Sequence, residues 1–229
     1  MQIRVENKRL MSSDELLAKL RRSAVLYSEY ADTTLLFIFR ANKTDKYEYY
    51  EVRFGRDNFM HLAGIKSTTM SANEFYEACV NGTVIRKDCT PRRNANTMYS
   101  KVAIMEQMLD LRSSKCYKIG EKDLITRDND FEMATGNFNG VIGYDSRITK
   151  KGTKELDKTK AAIPTTLLNK SIGDYCTKPE KIMFILQKID KNSTYNNLFY
   201  EIKKGLFQIE RRSFSEELKF LITNESNFL

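Results

Sequence analysis

The sequence predicts an α+β fold in which N-terminal helices pack on a mainly antiparallel sheet. Three observations lead there. Helix-period segments with capping signals gather in the first half of the chain, and strand-period segments gather in the second. Neither a fixed-period repeat nor a Pro/Gly-rich linker divides the two halves. With 229 residues, 41% of them hydrophobic, the chain can bury a substantial core. One domain over residues 1–229 is expected, closing in a helical tail over 206–229.

The stretch "SSDELLAKLRRSAVLYSEYA" opens with a Ser12 to Glu15 capping signal and sets Leu16, Leu17, Leu20, Ala24 and Tyr27 on one helical face. "TLLFIFRA" is a continuous apolar run, "NKTDK" breaks it, and "YEYYEVRFG" alternates after it. This pattern reads as a hairpin. Its first strand has no polar face, which places it centrally in the sheet. A short helical turn follows over Asn58 to Leu62 and ends at Gly64. Ser71 and Glu74 then form a second capping box, opening "ANEFYEACV", a helix that stops at Asn81-Gly82. A third helix, "TMYSKVAIMEQMLDLR", turns Val102, Met105, Met108 and Leu109 inward, and its methionines suit a core.

Strands dominate thereafter: "KCYKIG", "FEMATG", "NFNGVIGYDSR", "KAAIPTTLL", "KIMFILQKI" and "LFYEIKK". A final helix, "SEELKFLI", starts at or next to Ser215.

Lys and Arg total 38 against 30 acidic residues, a formal charge of +8, which favours polyanionic partners such as nucleic acid. The excess is concentrated. Ile85 to Arg127 carries ten basic and five acidic residues, and Arg147 to Lys170 carries seven and two. The latter segment, with "RITKKGTKELDKTK", reads as a solvated loop or a flexible phosphate-binding arm. Cys79, Cys89, Cys116 and Cys176 lie 10, 27 and 60 residues apart, without a C-x-x-C pair and with one histidine in the chain. That pattern suggests neither a zinc site nor a disulfide framework, and no metal or cofactor is expected. No P-loop, dinucleotide fingerprint, complete calcium loop or G-x-S-x-G elbow occurs. No apolar run is long enough to suggest a membrane span, and "MQIRVENKRL" lacks a signal-peptide core, so a reduced cytoplasmic setting in a bacterial host is expected.

The single histidine, His61, stands between Met60 and Leu62 in the connection between a strand and a helix, where functional groups are often displayed. Such an imidazole also suits simple packing. RNA cleavage through the 2′-hydroxyl needs a proton acceptor, a proton donor and cations for the phosphoryl oxygens, with no clustered metal ligands. His61 titrates closest to neutrality. Arg53, at the end of the second strand, and Lys101, early on the third helix, are candidate catalytic partners. Lys66, Thr68, Thr69 and Tyr99 are candidate substrate-binding residues.

The ordered motifs "LLFIFRANK", "YEVRFGRDNFMHLAGI", "SANEFYEACV", "SKVAIMEQML", "FNGVIGY", "IPTTLL" and "TYNNLFYEIKK" resemble those of a phage and mobile-element family of barnase/EndoU/colicin/RelE-like nuclease domains. In particular they resemble its Firmicutes branch with an F-x-H-L-x-G-I signature. The resemblance covers roughly residues 12–205. It implies a barnase/EndoU/RelE-like fold and a metal-independent ribonuclease activity, with His61 at the signature histidine and Lys101 at a recurring basic position. RNA is then the expected partner ahead of DNA, with a toxin or phage effector role.

A second expectation is an inactive nuclease-like protein that binds a host defence partner, such as an anti-defence protein that blocks an immune complex or sequesters its nucleic-acid ligand. The tyrosine-rich "KYEYYEV" strand would serve such binding. A DNA-binding regulator is disfavoured, because no helix-turn-helix with a polar recognition face is evident.

Overall fold

The computed structural model describes residues 11–113, 117–122, 131–145, 161–188 and 194–222, together with the backbone of 147–150 and 153–156. The Ser12 hydroxyl accepts the Glu15 N–H at 3.2 Å and starts α1 (Ser13–Ser28), whose Leu16, Leu20, Ala24 and Tyr27 are fully buried. β1 (Thr33–Arg40) and β2 (Tyr47–Phe54) form the expected hairpin. α2 (Arg56–Leu62), β3 (Ile65–Lys66), α3 (Ala72–Asn81), β4 (Thr90–Pro91) and α4 (Ala95–Leu109) follow. Ser71 and Glu74 cap α3 reciprocally, and Gly82 ends it with φ 71°, a left-handed conformation that glycine adopts without penalty. α4 begins earlier than its periodicity suggests. Asn94 Oδ1 accepts the Thr97 N–H at 2.8 Å, so the cap recruits Ala95 and Asn96 as well.

The second half supplies β5 (Lys118–Glu121), β6 (Met133–Gly136), β7 (Val141–Asp145), β8 (Arg147–Lys150), β9 (Thr153–Leu156), β10 (Ile163–Leu168), β11 (Glu180–Lys188) and β12 (Asn197–Glu201). Among the described residues an eight-stranded sheet runs β10-β7-β6-β5-β11-β1-β2, with β12 also paired to β11. Its named strand pairs are antiparallel. The sheet curls until its ends meet. Arg53 N–H donates to Ala162 O, Ala162 N–H donates to Glu51 O, both at 2.8 Å, and Val52 bridges Ala162. Within "RITKKGTKEL", expected as part of a loop or flexible arm, Arg147–Lys150 and Thr153–Leu156 instead pair as the antiparallel strands β8 and β9. Ile148, Thr149 and Thr153 are β-branched residues, which favour extended backbone even within a charged run.

β1 is central, between β11 and β2, and both its faces are buried. Leu35, Phe37 and Phe39 join the core under α1 to α4, whereas Leu36 and Ile38 join a second core. That second core is closed by α5 (Leu206–Glu210), a 3-10 turn (Arg211–Ser213) and α6 (Glu216–Leu221), through Phe207, Phe214 and Leu218. A continuous apolar run is what a strand buried on both faces requires. The molecule is therefore layered as helices, curled sheet and C-terminal helices, an α+β architecture consistent with a barnase/EndoU-like nuclease fold. Among the described residues no helix is long and apolar enough to cross a membrane.

Candidate active site

α2 is seven residues long and would be marginal alone, so packing fixes it. Phe59, fully buried, sits 5.5 Å from the rings of both Tyr27 and Tyr76, and the Tyr27 hydroxyl donates to Gly55 O at 2.8 Å. Burying such a ring contributes about 2–3 kcal/mol, more than helix propensity could supply over one or two turns. Asn58 Oδ1 accepts the Gly55 N–H at 3.0 Å and anchors the first turn. With Phe59 and Leu62 turned into the core, His61 projects from the rim of α2, half-buried, where this helix packs on β10.

Gly64 brings the other groups to that imidazole. Its φ of 70° turns the chain sharply after α2, and its N–H donates to His61 O at 3.0 Å. Its missing side chain admits the stem of Lys101. A Cβ there would stand 2.9 Å from Lys101 Cδ. Its carbonyl accepts the Arg92 N–H at 2.9 Å, which ties down the segment between β4 and α4 that bears Arg92 and Arg93. Lys101 Nζ in turn donates to Thr166 Oγ1 on β10 at 3.4 Å. One turn thus gathers groups from α2, the β4–α4 connection, α4 and β10.

The cluster is cationic. Neither Arg92, Arg93 nor Lys101 forms an ion pair among the described residues. Burial pushes the Lys101 pKa down, helped by repulsion from Arg93 and Arg92, to about 8. Burial likewise lowers the His61 pKa below 6.5, with Arg92 and Lys101 adding to it, while a hydrogen bond to the Thr165 backbone opposes the shift. A backbone bond that favours the protonated ring is one in which the ring N–H donates to the Thr165 carbonyl. With its pKa lowered, His61 is a neutral imidazole at neutral pH, and a neutral imidazole carries a lone pair on one of its ring nitrogens. Lys101 is half-buried and Arg92 and Arg93 are exposed, and cations grouped with no ion-paired carboxylate among the described residues suit an anion, while a neutral imidazole beside them can move a proton.

The sequence-derived candidates separate. His61 and Lys101 come together. Arg53 does not join them, because Val52 and Phe54 point into the core beneath the helices and strand alternation turns Arg53 to the opposite face of the sheet, where it is exposed. Lys66 is exposed on β3, which pairs with β4 immediately before Arg92. Thr68 is exposed, and Thr69 Oγ1 donates to the buried Asp88 carboxylate at 3.0 Å in a tight turn. Tyr99 is half-buried against the core on α4.

Arg92, Arg93, Thr165 and Thr166 were not singled out by the sequence, although an adjacent basic pair just before the Asn94 helix cap was a usable signal. Cys79, Cys89 and Cys176 are buried free thiols, and Cys116 lies outside the described residues. Among the described residues no three His, Cys, Asp or Glu side chains are placed to hold a metal ion.

A family model described as phage-Barnase-EndoU-ColicinE5/D-RelE like nuclease4 matches residues 19–204, which takes in every side chain of this cluster. No curated protein and no solved structure matches.

Proposed function

From the premise that the chain belongs to the phage-Barnase-EndoU-ColicinE5/D-RelE like nuclease4 family, we propose that it is an endoribonuclease acting through the RNA's own 2′-hydroxyl. The observation that carries this reading is the half-buried His61 imidazole gathered with the cations Lys101, Arg92 and Arg93 around the Gly64 turn. A nuclease family implies a nucleic-acid substrate, and the phage in the family's name supports action on RNA inside a bacterial host.

The chemistry follows from the groups present. The free nitrogen of His61 takes the proton of the 2′-hydroxyl, and O2′ attacks the adjacent phosphorus. Arg92 and Arg93 hold the non-bridging oxygens as negative charge gathers on them. The P–O5′ bond then breaks, and Lys101, a stronger acid than an ordinary lysine, gives its proton to the departing O5′. The products are a 2′,3′-cyclic phosphate and a 5′-hydroxyl. No step requires a bound cofactor or metal ion, because the nucleophile belongs to the substrate.

The test is incubation of purified protein with RNA and with DNA of the same sequence in the presence of a chelator, followed by end-group analysis. Cleavage of RNA alone, leaving cyclic phosphate ends and lost in His61→Ala, is the expected result. An inactive wild type that instead binds a bacterial defence protein, with His61→Ala binding equally well, would replace this reading by that of a nuclease-like binding protein.

A further inference from the structure

The geometry points to Phe138 as a stacking platform for an unpaired nucleobase beside the phosphate site, so that the substrate strand is single-stranded there. Phe138 is 82% exposed at the tip of the β6/β7 hairpin, within the sequence Asn137-Phe138-Asn139-Gly140. Turn tips favour small polar residues, and the fold makes no use of this ring.

The tip is rigid. The Asn137 side chain, 7% exposed, accepts the N–H groups of Asn139 at 2.8 Å and Gly140 at 3.2 Å. Asn137 N–H donates to Gly140 O, and Asn137 O accepts Ile172 N–H, both at 3.0 Å. An aromatic ring on so constrained a turn loses little entropy when a base settles on it, and every base offers a face for stacking.

The tip is also fixed to the helix that carries Lys101. A Cβ on Gly140 would lie 2.6 Å from Met108 Sδ and 3.0 Å from Ile104 Cδ1, so the hairpin sits directly on α4. Asn139 Nδ2 donates to Gln107 Oε1 at 3.4 Å. Lys101, Ile104 and Met108 follow a helical i, i+3, i+7 stripe, and seven residues span about 10 Å of helix axis. A second connection runs through the sheet, where Thr166, the partner of Lys101, pairs with Gly143 three residues after Gly140. Two independent attachments therefore fix the hairpin tip to the helix and strand that carry Lys101 and Thr166, with its seat at Met108 on the order of 10 Å from Lys101 along the helix. A cationic cluster with an adjacent exposed ring is the combination by which single strands are bound.

This inference rests on the reading of Arg92, Arg93 and Lys101 as the phosphate site, and the experiment separates the two. The probe is a short fluorescent single-stranded RNA with 2′-O-methyl sugars, which cannot be cleaved, and binding is followed by anisotropy over a range of salt. Phe138→Ala is expected to weaken binding roughly 10-fold without changing the salt slope, while Phe138→Tyr binds like wild type. Arg92→Ala is expected to lower the salt slope by about 1. A 2-aminopurine in the strand is expected to be quenched by wild type and not by Phe138→Ala.

Binding by Phe138→Ala equal to wild type, while Arg92→Ala is weakened, overturns the stacking role and leaves the phosphate site standing. An equal loss on a blunt RNA duplex also overturns it. No binding by wild type removes both.

Discussion

The side chain of Lys101 lies against Gly64 so closely that a Cβ on Gly64 would be 2.9 Å from Lys101 Cδ. Gly64 also has φ 70°, so two separate requirements converge on one glycine. Gly64→Ala is therefore expected to lose about 1–2 kcal/mol from the left-handed backbone alone. The displaced lysine adds a further effect on cleavage, and kcat should fall by more than ~10-fold at temperatures where the variant is fully folded. Denaturant unfolding and single-turnover cleavage measured together check this. A variant as destabilised as expected but fully active would show that Lys101 need not be held there.

The pH profile carries the assignment of acid and base. His61 acts only when neutral, and its pKa lies below 6.5. Lys101 acts only when protonated, and its pKa is about 8. The profile of kcat/KM should thus be bell-shaped, with an acid limb displaced below that of an ordinary imidazole and an alkaline limb above about pH 8. A bound phosphate favours both cationic forms, so the kcat profile should sit at higher pH. Lys101→Arg keeps the charge but gives up no proton, so it should cleave at least ~10-fold more slowly and lose the alkaline limb.

Lys101 should also destabilise the fold it serves. A lysine whose folded pKa is about 8, against 10.5 ordinarily, binds fewer protons folded than unfolded between those values, so stability rises with pH across that window. Below pH 8 the penalty is fully present. Lys101→Met is accordingly expected to be more stable than wild type near pH 7 by about 2 kcal/mol, an advantage that shrinks toward pH 10, while cleavage is lost. Only the difference between the two proteins isolates this effect, because the buried thiols Cys79 and Cys89 have raised pKa values and act in the opposite direction above about pH 8.5. Chemical denaturation at several pH values provides the check.

The arginines should divide by face. Arg92→Ala and Arg93→Ala are each expected to reduce kcat/KM by about 10- to 100-fold, as a charged hydrogen bond to the developing phosphorane is removed. Arg53→Ala, on the far face of the sheet, is expected to change it less than ~3-fold. Steady-state cleavage of a fluorogenic oligonucleotide distinguishes these outcomes, and a large loss in Arg53→Ala would mean that RNA crosses the sheet edge.

Those arginines also mark the limit of what the sequence displays. Local signals were sufficient for the starts of α1, α3 and α6, because Ser12, Ser71 and Ser215 cap them through their own side chains. The unbroken apolar face of β1 announced burial on both sides. His61 and Gly64 stood out for being a lone imidazole and a turn-forming glycine. Arg92 and Arg93 looked like any basic pair, since their meaning comes from the bond between Arg92 N–H and Gly64 O, 28 residues away in sequence. Thr165 and Thr166 likewise acquire theirs only when the curled sheet carries β10 to α2 and α4. Arg53 is close to His61 in sequence, but such proximity says nothing about which face of the strand a residue occupies, and alternation along β2 turns it away from the cluster.

The most direct measurement of the central claim is the end-group chemistry of RNA treated with wild type, His61→Ala and Lys101→Arg in chelator. The account expects 2′,3′-cyclic phosphate and 5′-hydroxyl ends from wild type, with rates at least ~100-fold lower in His61→Ala and clearly reduced in Lys101→Arg. Equal cleavage by wild type and His61→Ala, or products ending in 3′-hydroxyl and 5′-phosphate, would contradict it.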